Sequence, residues 1–415
     1  MKKETKLSVV NLTRQDIPEI VEDIKTRYEW VPVGIIGQDD FFPIITDSYQ
    51  TSTTNAACVE GVADLISGKG LYSKDASFDM TLQKIVSQRD IKRISFDLKL
   101  YGNAAVQVIW NAEHTKVVKM YHAPIQNFRA KKLYGGIKVE SYFYCTDWSD
   151  HKTQRSKVEI PAFGTSKEQM EILYIKDYTP GKFYYSLPDW VSALQFAFSE
   201  AELSNLHINN IENGFLPLVM VNMNNGVPAP EERDTIETML EGKFTGTRNA
   251  GRFMLSFNDD PSVKPTVDII QTENLHEKYQ YVADYSQDRI LVAHRITSPL
   301  LFGIRTANNG FSSQSEEMMT AFSILQTMTI QPFQQLIIEA FADALERGGW
   351  GEDTQLYFEQ LTPIAILSQT AEDTGQSIAE VEDTVNKQME NPEEMEDENV
   401  TVGNISETTN DKIFN

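Results

Sequence analysis

Cysteine is nearly missing from this sequence. Cys58 and Cys145 are the only two thiols in 415 residues, which excludes a disulfide framework and leaves no thiolate spacing for a metal. No run approaches the roughly 20 apolar residues of a membrane helix. The opening MKKETKLSVVNLTRQD has basic residues but no apolar signal core behind them, so cytoplasmic synthesis is the simplest expectation. Basic charge is scarce as well: 37 Lys and Arg stand against 60 Asp and Glu, a formal net charge of −23. That balance argues against a protein that grips nucleic acid by neutralising phosphates. Part of the excess sits after Ala371, in Glu393-Glu394 and Glu396-Asp397-Glu398, the composition of a solvated, disordered tail or an acidic docking segment.

Catalytic signatures are also absent. There is no Gly-x-Gly-x-x-Gly fingerprint, no phosphate loop, no His-Glu-x-x-His and no Gly-x-Ser-x-Gly. SGKGLYSK (67–74) has the wrong spacing for a phosphate loop and reads as a surface turn. The six histidines are scattered, which fits surface or ordinary structural roles better than a ligand set. Cys58 lies on an apolar helical face, where a buried inert thiol is expected. Neither an enzyme nor a cofactor is indicated.

What is present is a folded chain, 41% apolar and 10% aromatic, long enough for two or three modules. NAACVEGVADLIS (55–67) and LQKIVSQRDIKRISFDLKLYG (82–102) each place apolar residues on one helical face, and Gly102 ends the second. AAVQVIW and KVVKMYHA, joined by NAEHT, predict a hairpin, and strand-like pieces continue to about residue 186. The fold class is therefore α+β. A cluster of Lys116, Lys119, Arg129, Lys131, Lys132 and Lys138 reads as a solvated face or a contact for an acidic partner.

From Ser186 the character changes. SLPDW offers Ser186 as N-cap, and a helix should run to about Glu212, roughly 35 Å at 1.5 Å per residue. FLPLVMVNM, a helix from Pro230 and GRFMLSF form a small β-α-β unit. A second long helix follows over roughly 272–296. Then comes ITSPLLFGIRTANNGFSSQSEEMMTAF, where a polar stretch separates two helix-like arms. Ser313 to Glu316 fits a capping box for a third helix, which Pro332 should kink by removing a backbone donor.

This order of elements resembles the tailed-bacteriophage portal proteins, the dodecameric head-tail connectors of long-tailed phages. LKLYGNAAVQVIW is similar to their helix-Gly-Asn-strand segment, and the run from YYSLPDW to NGFLPLVMV to the helix that enters the clip. ILVAHRITSPLLFGI is similar to the second stem helix with its Pro-Leu-Leu element, and FSILQTMTIQPFQQLIIEAF to the helix behind the tunnel loop. Phe302 stands where another aliphatic is usual, and the short acidic stretch after 350 leaves little for an extended crown. The likeness spans roughly residues 50–345.

The resemblance implies a wing (1–185), a first stem helix (186–213), a clip (214–270) and a second stem helix (271–297). A tunnel loop (298–315), a kinked helix (316–349) and a short crown with an acidic tail (350–415) complete it. It implies a homo-oligomeric ring, usually of twelve copies, at one capsid vertex of the virion. Double-stranded DNA would pass non-specifically through it during packaging and ejection. The large terminase subunit, head-completion or adaptor proteins and the major capsid protein would be partners, with no cofactor, metal, membrane or catalysis. Arg305, Asn308, Asn309, Gly310 and Phe311 would face DNA in the tunnel loop, although by composition alone that stretch reads as a plain helix-helix connection. Asn224, Asn225, Glu231, Glu232 and Arg233 would be the clip's docking residues. An acidic wall suits a conduit, because each neutralised phosphate adds affinity that a motor must break. Another head-tail junction protein, or a hydrolase without a recognisable motif, is the alternative.

Overall fold

The computed structural model describes residues 19–35, 38–212, 218–223, 253–257, 266–270, 275–302, 314–351 and 354–361. Its first half is built on a helical layer and three small sheets. β1 (Ile20–Glu22) pairs antiparallel with β2 (Val33–Ile35) and leads into α1 (Phe41–Thr51) and α2 (Thr53–Ser67). Ser52 caps α2 by accepting from the Asn55 amide, one of the donors a helix start leaves unpaired. The expected apolar face is in place, with Cys58, Val59, Val62, Ala63 and Ile66 all buried. Burial pushes the Cys58 thiol up to about 12, so the inert reading holds.

β3 (Gly70–Ser73) follows, then α3 (Ala76–Ile85) and α4 (Gln88–Tyr101). The single helix expected over 82–102 is thus two. Ser87 breaks it, because its hydroxyl accepts from the Asp90 amide and starts a new helix. α4 lies between two cores. Ile91, Ile94 and Leu98 pack into one, and Leu100 and Tyr101 into the other. The expected stop is confirmed: Gly102 adopts φ 69°, and a Cβ there would lie 2.6 Å from the Leu187 carbonyl carbon.

The predicted hairpin is β4 (Asn103–Trp110) with β5 (Val117–Ala123), and β9 (Met170–Lys176) pairs on the other side of β4. With both edges paired and both faces covered, β4 is buried at six of its eight positions. The second sheet orders β6 (Phe128–Ala130), β7 (Ser141–Tyr144) and β8 (Val158–Pro161), with the short α5 (His151–Arg155) between the last two.

The long helices come next. α6 spans Leu194–Glu212 and α7 spans Leu275–Ala293. Between them β10 (Leu218–Met223) pairs parallel with β11 (Phe253–Phe257) and antiparallel with β12 (Thr266–Ile270). A parallel pair requires a crossover, as the β-α-β expectation demands, although the crossover lies outside the described residues. β12 was not anticipated. α8 (Gln314–Leu325), a π-helical turn (Gln326–Ile330) and α9 (Gln331–Leu345) then run on continuously.

β13 (Leu356–Glu359) closes the fold by pairing with β3, about 280 residues earlier. This corrects the reading of SGKGLYSK: Gly70–Ser73 is a paired strand with Leu71 fully buried, not a surface turn. Its lone-stretch composition hid a partner too distant for local pattern to reveal.

Candidate functional site

α6 and α7 lie side by side, with Phe196 edge-on to Tyr285 and His207 edge-on to Tyr279, both at 5.9 Å between ring centres. Each has 19 residues, about 28 Å at 1.5 Å per residue. Their bases are fixed to the body by polar contacts. Glu200 of α6 accepts hydrogen bonds from Ser52, from Thr53 and from the amide and hydroxyl of Thr54, which places a carboxylate at the N-terminus of α2. His294, just past α7, stacks on Trp190 at 5.5 Å and lies 2.9 Å from the Asn55 side-chain oxygen. Burial first, and the nearby Lys99 charge second, hold the His294 pKa well below the ordinary histidine value.

The start of α6 differs from the expectation. Ser186 does not cap a helix. Its amide donates to the Asn103 side-chain oxygen, and its carbonyl accepts from the Asn103 side-chain nitrogen at 2.8 Å each. Asp189 pairs instead with the buried Lys99 at 2.9 Å, and the α-helix begins only at Leu194, after a 3-10 turn. Long-range pairing therefore outweighed a local capping pattern. It also explains the Gly102-Asn103 dipeptide: glycine lets the chain pass close to Leu187, and asparagine clamps the loop that leads to α6.

The α7 terminus has an unusual cap. Ile296 donates to the Leu291 carbonyl and Arg295 to that of Val292, the two bonds of a Schellman motif. Its left-handed position, usually glycine, is Arg295 at φ 61°. A side chain there costs about 1–2 kcal/mol. The guanidinium supplies a compensating contact, because Arg295 Nη1 donates to the Met328 carbonyl at 2.9 Å. Met328 is four residues before Pro332, so in a regular α-helical register its carbonyl would face the amide hydrogen that proline lacks.

Pro332 itself sits in the first turn of α9, directly after the π-helical turn Gln326–Ile330. The expected disruption takes that form. The helix widens there, with Gln331 donating back to Gln326 across five residues. Glutamines anchor both sides of the break: Gln334 on α9 donates to the Ile66 carbonyl, and both Gln334 and Gln326, at the α8 end of the turn, reach Gln360.

Comparison with solved structures gives this arrangement a place. A chain from the neck of an empty gene transfer agent particle, computed with six-fold symmetry, matches with a TM-score of 0.53. It does so over 82% of this chain and 90% of its own, at 17% identity. A chain from the neck of the native particle, computed with twelve-fold symmetry, gives 0.53 over 81% and 89%, at 16% identity. The fold is that of a particle-neck chain. An HK97-family phage portal protein from Corynebacterium diphtheriae overlaps less, with a TM-score of 0.43 and 10% identity over 66% of this chain and 84% of its own. No family model and no curated protein matches the sequence.

Within this neck fold, Pro332 is the one predicted site position that the structure describes. Arg305, Asn308, Asn309, Gly310 and Phe311 lie outside the described residues, as do Asn224, Asn225, Glu231, Glu232 and Arg233. The basic cluster is not one face. Arg129 is 2% exposed and bonded to Asp39, Lys131 pairs with Glu159, and Lys119 donates to the Lys84 carbonyl. Arg295 has no local signature in the sequence: it is two residues past a helix end and bonds to a carbonyl in a later helix.

Proposed function

We propose that this chain is a portal subunit: a structural protein that forms a ring at one vertex of a phage-like particle and lets DNA pass through its centre. The observation that carries the reading is the neck fold over most of the chain, and the exposed apolar side chains of its paired helices support it. Ile208 and Ile211 of α6 and Tyr281, Val282, Tyr285 and Val292 of α7 are between 39% and 68% exposed. An isolated subunit leaves these side chains in water, whereas a ring neighbour would cover them in a heterologous, closing interface. Twelve copies is the number this reading favours, in keeping with the twelve-fold neck that shares the fold.

In such a ring, residues 298–315 are the candidate loop at the channel. Arg305, Asn308, Asn309, Gly310 and Phe311 would be its contacts with DNA. The segment between β10 and β11, with Asn224, Asn225, Glu231, Glu232 and Arg233, is the candidate dock for the large terminase subunit during packaging and for adaptor proteins afterwards. The capsid vertex in the virion is the expected location, with synthesis in the host cytoplasm. Negative-stain images of the purified full chain should show closed rings with a central hole. Only monomers under assembly-promoting conditions would overturn the reading. If rings form but Gly310→Pro leaves DNA packaging unchanged, the loop assignment alone fails.

A further inference from the structure

The break before Pro332 has three features that point the same way. Its π-helical turn is wider than an α-turn, a form that recurs at functional sites. Thr329 in that turn has a buried hydroxyl with no hydrogen-bond partner, so the observed arrangement leaves one polar group unsatisfied. The Met328 carbonyl, which an α-helical register would pair with the amide Pro332 lacks, accepts from Arg295, and Arg295 holds a left-handed backbone conformation that glycine would adopt more easily. Both Arg295 and Met328 are exposed, so this bond can open without unpacking the core.

The two sides of the break differ. α9 is fixed by Ile337, Phe341, Ala344 and Leu345 in the main core and by the Gln334 bonds. On α8 the main core takes Leu325 alone, with Ala321 and Phe322 buried nearby, while Ser323 and Ile324 face outward; in the turn itself Ile330 reaches that core. An open groove of about 520 Å³, lined by Lys74, Thr327, Pro332 and Gln335 among others, runs beside the turn.

We propose that Gln326–Ile330 is a hinge and that Arg295 is its latch. With the Arg295–Met328 bond closed, α8 is held in the observed direction against the end of α7. With it open, α8 and the turn fluctuate about α9. The latch exists because of the proline. If residue 332 had an amide hydrogen, an α-helical register would give the Met328 carbonyl its donor and Arg295 would be redundant. This inference concerns one subunit and stands whether or not rings form.

The test is a double-mutant cycle read by hydrogen-deuterium exchange on the full chain. Arg295→Met should raise amide exchange in residues 318–330 about tenfold, with exchange in α9 and the melting temperature little changed. In a Pro332→Ala background, the same Arg295→Met change should alter exchange less than about twofold. Arg295→Gly, which takes the left-handed cap without strain, should match Arg295→Met in the hinge, and it separates loss of the latch from loss of folding. Equal effects of Arg295→Met in both backgrounds would overturn the proposal. So would unchanged exchange across 318–330 in both Arg295 variants.

Discussion

His294 shows how one residue can carry a whole environment. It is fully buried between Trp190 and Asn55, with its pKa held below the ordinary value mainly by desolvation. The folded chain keeps this imidazole neutral at a pH where the unfolded chain protonates it, near 6.5. Stability should therefore be full above about pH 6.5 and fall as the pH drops towards the folded pKa, by up to about 1.4 kcal/mol per pH unit for one proton. Urea midpoints from pH 7.5 to 5 should show that slope, and His294→Gln should flatten it. A variant with the wild-type slope would place the proton elsewhere. The sequence presented this histidine as one of six scattered examples. Its role comes from partners at positions 55, 99 and 190, which no local pattern connects.

Among the elements, legibility followed the distance over which each is decided. The β4–β5 hairpin, the α2 face and the Gly102 stop were readable because propensity, period and turn chemistry all act within a few residues. The break at Ser87 was readable in principle, since its hydroxyl and Asp90 form a local capping pattern, but the continuous apolar period concealed it. β3 and β13 were not legible, because each four-residue strand has meaning only beside the other. Their pairing carries weight: Phe358 is 3% exposed in the main core, and Lys69 and Glu359 bond at the strand end. Phe358→Ala should cost about 3–5 kcal/mol in urea unfolding. A loss below about 1 kcal/mol would show that β13 is a loose appendage.

At the scale of the whole molecule, the exposed residues of α6 and α7 separate assembly from folding. Tyr281 is 68% and Val292 65% exposed, so charging them should leave the single chain's stability almost unchanged. Tyr281→Glu with Val292→Glu should still abolish rings in mass photometry if these faces meet neighbours, because each added charge would be buried unpaired. Intact rings from that double variant would move the interface to another surface.

By itself the sequence determined the α+β class, the long paired helices, the disruption at Pro332 and the lack of any catalytic signature. Those properties rest on period, composition and the missing proline amide, all of which are local. Only the tertiary structure decided where α6 starts, which strand β3 joins, that Arg129 and Lys99 are buried partners, and that Arg295 donates to the Met328 carbonyl. Each of these joins groups at least thirty residues apart. A contact between remote residues is settled by the packing of everything between them, and that packing is a property of the folded chain as a whole.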